Sequence, residues 1–400
     1  MQELAALRKQ TRAALCLSCG KCSTMCPLSP SGWFSAARMV AVRDADKELG
    51  GQIDSLNACL TCGSCEQRCP EGVQFIDFVR GVRALKPAEY RRPCPHGEML
   101  QAAARMMAEP EPPTRDLGWV TDDLEIAEEG ELALFVGCLP QFDILFEREM
   151  GVETIEIARS AIRLLNGLGI KPVLLAEERC CGHDQLWSGE QEAFEALANG
   201  NIESFKERGI KQILTTCGEC YRTWTLDYPE FAGNYRPKVQ HISEFIAEQI
   251  EGGELRMNGG EAPTMTYQDP CRLGRQSGVF DAPRQVLGTI GNGSFTEMEL
   301  SGKDSTCCGT SGFIHCDAAS RRLQSERLQS ATSTGAETLV TACPKCLLHF
   351  SCAQTEDRLR QREPVDIQVE DLTVLAARML VPTAPPDAGP DANQQTGDPS

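Results

Sequence analysis

Leu132-Ala-Leu-Phe-Val-Gly-Cys138, Cys180-Cys181-Gly182 and Ile213-Leu-Thr-Thr-Cys217-Gly-Glu-Cys220 stand in that order in the first of two matching stretches. The second reads Met265-Thr-Tyr-Gln-Asp-Pro-Cys271, Cys307-Cys308-Gly309 and Leu339-Val-Thr-Ala-Cys343-Pro-Lys-Cys346. From the second Cys of each pair to the next Cys is 36 residues in the first stretch and 35 in the second. Duplication of one βα-type unit explains this match. Short apolar runs, Val173–Ala176 and Phe295–Met298 among them, alternate with longer amphipathic runs between 131 and 380, which predicts α/β structure. The cysteines fall mostly where apolar strands end, and open α/β sheets gather ligands at the carboxyl ends of strands. Each unit therefore brings five sulfurs to one sheet edge. Helices that start there aim backbone N–H groups at the sulfurs and what they hold.

A second pattern lies upstream. Cys16-x-x-Cys19-x-x-Cys22-x-x-x-Cys26-Pro27 is followed by Cys59-x-x-Cys62-x-x-Cys65-x-x-x-Cys69-Pro70. This is the spacing of a bacterial two-cluster ferredoxin. Three cysteines two residues apart wrap one face of a cube. The fourth, before a proline that turns the chain away, reaches the other cube. The expected sets are Cys16, Cys19, Cys22 and Cys69 on one [4Fe–4S] cluster, and Cys59, Cys62, Cys65 and Cys26 on the other. Zinc sites also use Cys-x-x-Cys pairs, but have no use for the third cysteine or the repeated Cys-Pro. The stretch Trp33 to Val42, between the motifs, is helix-like, so a helical module is expected.

The 400 residues suffice for several cores, and 41% apolar content is ordinary. We read a ferredoxin domain at 1–86, a Pro-interrupted connector at 87–130, and repeat units at 131–255 and 256–380. A Pro-, Asp- and Gln-rich tail at 381–400 reads as disordered. A net charge of −18 argues against nucleic-acid binding and against docking on anionic lipid. Twenty-one cysteines are many for this length. Met1 to Leu15 is charged and amphipathic, with no apolar export segment, so metal ligands in a reducing cytoplasm are expected rather than disulfides.

The double Cys…Cys-Cys-Gly…Cys-x-x-Cys pattern resembles the cysteine-rich (CCG) domains of heterodisulfide reductases. With the ferredoxin motifs on the same chain, about residues 10–355 resemble the D-type chain of that family, a fusion of its C and B types. The resemblance implies an α+β multidomain fold: a helical dicluster ferredoxin module, then two duplicated α/β (Rossmann-like) CCG units. It implies a non-cubane [4Fe–4S] cluster held by five cysteines in each unit. These are Cys138, Cys180, Cys181, Cys217 and Cys220 in the first, and Cys271, Cys307, Cys308, Cys343 and Cys346 in the second, and these ten would be the catalytic set. Ordinary cubanes with one spare cysteine each, or structural zinc, are the competing readings. Gly182 and Gly309 are expected where no Cβ fits beside the cluster. Arg272 stands where many relatives have His; it offsets thiolate charge or lies at the surface.

Cys94, Cys316 and Cys352 are left over and read as buried free thiols. His183 and His315 fall near the cysteine pairs, whereas His96, His241 and His349 read as elsewhere. Lys345 and Arg272 are candidates to hold an anionic substrate or to tune cluster potential. No Gly-x-Gly-x-x-Gly or Walker loop is present, so electrons are expected to come from or go to a partner: a flavoprotein, another iron–sulfur subunit or a membrane cytochrome b. Two functions follow. One is a heterodisulfide reductase-like subunit acting on a small disulfide or thiol. The other is an electron relay between a flavoprotein dehydrogenase (glycolate, lactate or glycerol-3-phosphate type) and quinone.

Overall fold

The computed structural model describes residues 2–31, 34–41, 56–85, 94–257, 262–291, 293–314 and 316–381. The readings at Trp33, Val42, His315 and the tail from 382 lie outside them.

The described residues of the ferredoxin segment form short helices joined by loops that carry the cysteines, with no strand among them. The first helix, Gln2–Gln10, stops short of Leu15. Thr11 Oγ1 turns back onto the Leu7 carbonyl at 2.7 Å, and Arg12 adopts φ 59°. That left-handed residue redirects the chain into a single 3-10 turn, Ala13–Leu15, that delivers Cys16. Helix Ala36–Val40 occupies part of the stretch expected to be helical. Helix Phe75–Ala84 buries Phe75, Ile76, Phe78, Val79 and Val82 on one side, at the spacing of an amphipathic helix.

Each repeat unit contains a parallel three-stranded sheet. The first has the order β1 (Leu132–Phe135), β2 (Gln212–Thr215), β3 (Lys238–His241). The second has β4 (Met265–Gln268), β5 (Thr338–Thr341), β6 (Gln368–Asp371) in the same order. Equivalent registers hold, with Phe135 opposite Thr215 and Gln268 opposite Thr341. β4 and β5 are buried along their whole length and β1 and β2 along all but their first residue, as expected of parallel strands covered on both faces. The expected strands at 173–176 and 295–298 are reduced to isolated bridges, Val173 to Ala127 and Ala133, and Phe295 to Met265. Pro172 before the first, and the turn at Ser294 before the second, leave little room for a longer ladder.

The units interlock about a pseudo-twofold axis. Helix Ile155–Gly167 of the first packs on helix Leu372–Arg378 of the second, and Ile242–Glu251 packs reciprocally on Asp281–Gly291. Ala158, Ala161, Ile162 and Leu165 meet Ile290, Leu375 and Ala376 in one core, all fully buried. Each large side chain there contributes about 2 kcal/mol relative to exposure. The two units are thus one folded body with a shared interior.

The ferredoxin core (Leu4, Leu56, Phe78, Val79) runs on into the outer core of the second unit (Met298, Leu323, Leu339, Phe350). Ile76 instead joins the outer core of the first. The segment expected to be a plain connector is built in as well. Helix Met99–Met107 buries Leu100, Gln101 and Ala104, and Arg115 N–H bonds the Ala176 carbonyl at 2.7 Å.

Candidate functional site

In the first ferredoxin motif the loop from Cys16 keeps its sulfur near Cys19 and Cys22, whose charges act on one another. Cys69 packs on the same core as Cys16 and Cys22. In the second motif, Cys59, Cys62 and Cys65 line one small cavity together with Cys26 from the first, the crossing expected of a two-cluster ferredoxin. Both motifs bend alike. Ser18 (φ 53°) and Thr61 (φ 45°) take left-handed conformations. This turns the Ser18 N–H onto Cys16 Sγ at 3.4 Å and the Thr61 N–H onto Cys59 Sγ at 3.3 Å. Gly182, two residues after Cys180, repeats the device: φ is 76° and its N–H lies 3.4 Å from the Cys180 sulfur. Such N–H groups stabilise thiolate charge and tune whatever metal the sulfur binds.

In the first repeat unit, the sulfurs sit where β1 and β2 end. Cys138 caps helix Leu139–Met150, Cys217 caps Gly218–Arg222, and Gly182 caps His183–Ser188. Cys138 Sγ lies 3.3 Å from Cys180 Sγ, far beyond a disulfide bond, and all 21 cysteines are free. Cys180 contacts Cys181, Cys181 contacts Cys220, and Cys220 contacts Cys217. These five line one small cavity with Val136, Leu139 and Phe142. An all-sulfur donor set with apolar walls suits a soft iron–sulfur group. Hydrogen bonds to neighbouring sulfurs, and then burial, push Cys138, Cys181 and Cys220 well up, but Cys180 and Cys217 are held well down, Cys180 by its Cys138 neighbour and Cys217 by Cys220.

The second unit repeats the chain of contacts. Cys271 touches Cys307, Cys307 touches Cys308, Cys308 touches Cys346, and Cys346 touches Cys343. Cys343 caps helix Pro344–Leu359 and contacts Cys217 across the interface. The ten sulfurs therefore form one unbroken series. Cys62 of the ferredoxin cavity acts electrostatically on Cys307, which joins the series to the N-terminal module.

A polar group closes the first cavity. Lys345 Nζ, from the second unit, is ion-paired to Asp184 and Glu219 of the first. Although burial opposes it, those carboxylates hold Lys345 well above the usual ammonium range. Burial pushes Glu219 up to about 7. His183 Nδ1 lies 3.0 Å from Asp184 Oδ1, and burial pushes His183 down to about 3. His183, Asp184 and Glu219 offer metal-ligand atoms within 4.8 Å of one another, but the Lys345 ammonium already pairs with both carboxylates.

Residues 132–224 and 265–351 match the cysteine-rich domain (CCG) family, and residues 11–73 match the 4Fe-4S dicluster domain family. The D-type chain of the dihydromethanophenazine:CoB--CoM heterodisulfide reductase of Methanosarcina barkeri is 34% identical over 272 residues, 66% of this chain and 62% of that protein. The chain therefore carries a 4Fe-4S dicluster domain followed by two CCG domains, and is similar to D-type heterodisulfide reductase chains. Its cofactors are [4Fe–4S] clusters. The EtfAB:quinone oxidoreductase of Syntrophomonas wolfei is 32% identical over 233 residues, 56% of this chain and 31% of that protein. A hypothetical protein from Helicobacter pylori shares the fold, with a TM-score of 0.56 and 9% identity over 86% of this chain and 67% of its own. The chain spans about three fifths of the length of its Methanosarcina relative.

Several residues depart from the sequence reading. Arg272 is not a surface residue; it is 2% exposed. Its Nη2 donates to Thr61 Oγ1 at 2.7 Å and to Ser311 Oγ at 3.2 Å, and its guanidinium lies 4.2 Å from the Trp187 ring centre. Arg272 thus ties the Cys59–Cys62 loop to both repeat units. Arg83 acts beside it, donating to the carbonyls of Trp187 at 2.9 Å and Cys59 at 2.7 Å. Nothing in the local sequence marks Arg83, Trp187 or Thr61; their role exists only where three segments meet.

His241 and His349, read as remote, sit beside the sulfurs. His241 ends β3 next to Cys217, and His349 lies against the Cys308 backbone. Lys345 is already occupied by carboxylates, so it is not a free anion site in this state. Cys94 is buried as expected, but Cys316 is exposed and Cys352 only partly buried. Gly182 and Gly309 are required by the helices behind them. A Cβ on Gly182 would lie 2.8 Å from Phe194 Cδ2, and one on Gly309 2.8 Å from the Ser320 carbonyl oxygen. The glycine that clears a sulfur is Gly137, where a Cβ would lie 3.0 Å from Cys220 Sγ.

Proposed function

We propose that the chain carries electrons from the ferredoxin-type pair of clusters to two clusters held by the repeat units, and performs disulfide/thiol redox chemistry there. The ligand sets are Cys16, Cys19, Cys22 and Cys69; Cys59, Cys62, Cys65 and Cys26; Cys138, Cys180, Cys181, Cys217 and Cys220; and Cys271, Cys307, Cys308, Cys343 and Cys346. The last two sets hold non-cubane clusters, which supply one-electron chemistry at sulfur. The observation that supports this reading is the series of neighbouring sulfurs from the Cys26/Cys59/Cys62/Cys65 cavity, past Cys307, to the cavity at Cys138.

Two electrons from a partner redox subunit and two protons convert one disulfide into two thiols. The ferredoxin module, 1–86, receives the electrons, and the repeat units, 131–255 and 256–380, deliver one each. Phe142 and Leu139 give the cavity an apolar wall, and Asp184, Glu219 and Lys345 a charged one. The partner is a flavoprotein, an iron–sulfur subunit or a cytochrome b. The chain acts in the cytoplasm and reaches a membrane only through that partner; no helix of the described residues is long and apolar enough to cross one.

The test is anaerobic purification with iron counting and EPR before and after adding thiol. About sixteen irons per chain and a thiol-responsive signal support the reading. About eight irons, or signals indifferent to thiol, overturn it. The quinone oxidoreductase relative favours a second reading, relay to quinone. Quinone reduction without disulfide reduction by the reduced chain selects it.

A further inference from the structure

Leu4 to Arg43 contains six lysines and arginines and no Asp or Glu, in a chain of net charge −18. Lys9, Arg12 and Lys21 are exposed, and none of them is in an ion pair among the described residues. Leu15 and Leu17, on either side of Cys16, are 49% and 65% exposed, and Cys19 is exposed two residues further on. The backbone is wound tightly here. The Arg12 N–H bonds the Lys9 carbonyl at 3.2 Å, Leu15 that of Arg12 at 2.9 Å, and Cys16 that of Ala13 at 3.3 Å. Lys9, Arg12, Leu15, Leu17 and Cys19 are therefore exposed within one short, tightly wound stretch, with Lys21 two residues beyond it.

The acidic residues of the described ferredoxin module are Glu3, Glu66, Glu71 and Asp77. Glu66 accepts the Ile76 N–H at 2.7 Å and Asp77 pairs with Arg80 at 3.3 Å. Among the described residues of the module, that leaves Glu3 and Glu71 to offset the cations. A single exposed leucine needs no explanation. Two of them flanking a cluster cysteine inside a cationic rim have the anatomy of a protein interface, apolar at the centre and charged around it.

We propose that this collar is the docking face for an acidic electron-transfer protein with an apolar centre to its own redox face. The partner's carboxylates meet Lys9, Arg12 and Lys21, and its apolar centre covers Leu15 and Leu17. One electron passes from the partner's reduced centre to the cluster at Cys16, Cys19 and Cys22; no bond forms or breaks and no proton moves. The proposal rests on the relay reading above. Anionic lipid would match the charge, but an interfacial helix turns its apolar face outward. Helix Gln2–Gln10 buries Leu4 and half-buries Leu7 instead.

The test titrates the anaerobically purified, cluster-loaded chain with a plant-type [2Fe–2S] ferredoxin, an acidic protein, by calorimetry at low and high salt. One-to-one binding that weakens with salt is expected. K9E/K21E and, separately, L15S/L17S should each weaken it about tenfold at low salt. No binding at low salt, or binding that neither double variant alters, overturns the proposal. So does co-sedimentation with phosphatidylserine vesicles that both variants abolish. Full iron content with no ferredoxin binding sinks the docking face alone. Iron content short of the ferredoxin pair sinks the relay it rests on.

Discussion

Arg272 Nε donates a 2.9 Å hydrogen bond to His183 Nε2. An acceptor at Nε2 places the ring proton on Nδ1, which faces Asp184 at 3.0 Å and Glu219 at 3.3 Å. One guanidinium therefore sets the tautomer of the histidine at the first cavity while it clamps the Thr61 loop of the ferredoxin module. The residue beside Cys271 in the second unit thus orients a side chain of the first.

Replacing Arg272 tests this clamp. R272A removes a donor from Thr61 and from Ser311, which keep their bond to each other, and leaves the buried His183 Nε2 without its partner; it should cost about 3 kcal/mol. R272K keeps the charge but loses the planar fork and the stacking on Trp187, and should cost about 2 kcal/mol. Anaerobic denaturant melts of the loaded protein measure both. Losses under about 0.5 kcal/mol for both would make Arg272 dispensable.

Single cysteine variants separate the proposed sites. C180S should lower iron by about four per chain and leave the ferredoxin EPR signals intact. C307S should do the same in the second unit, with a small shift of the ferredoxin signals because Cys62 and Cys307 interact. If either variant erased the N-terminal signals, the division into modules would be wrong.

Gly309 has φ 93°, and its missing Cβ would fall 2.8 Å from the Ser320 carbonyl oxygen. G309A combines backbone strain with a backbone clash and should destabilise by about 3 kcal/mol. Gly253 also has positive φ (76°), but a methyl there would meet nothing within 4 Å, so G253A should cost about 1 kcal/mol. Equal thermal shifts for the two would remove the role assigned to the Ser320 helix.

His241 caps helix Ile242–Glu251, and burial holds its imidazole at about 4, below the ordinary value of 6.5. Between those values the unfolded chain binds the proton and the folded chain does not, so this residue's contribution to stability falls as pH drops. H241N keeps a capping side chain without the titration. Relative to H241N, the parent should lose about 2 kcal/mol between pH 7 and pH 5. Denaturant melts at the two pH values read the difference, and parallel losses would place the His241 proton elsewhere.

The positions of the cysteines in sequence already carry the duplication, the ferredoxin crossing at Cys26 and the two five-sulfur sets, because ligand spacing and strand-end placement are local properties. The helical module and the α/β units follow from periodicity in the same way. The expected strands at 173 and 295 shrink to isolated bridges, since an edge segment pairs only as far as its neighbour and the preceding turn allow. Arg272 looked like a local departure beside Cys271, and His241 and His349 looked remote, because their partners lie in other segments.

By itself the sequence determined the repeated cysteine spacing and which backbone elements present those cysteines. Only the tertiary structure decided that Cys217 meets Cys343, that Lys345 of one unit sits between carboxylates of the other, and that Arg272 binds three segments. Those contacts depend on the interlocked helices of the shared core, and long-range packing leaves no periodic trace in the chain.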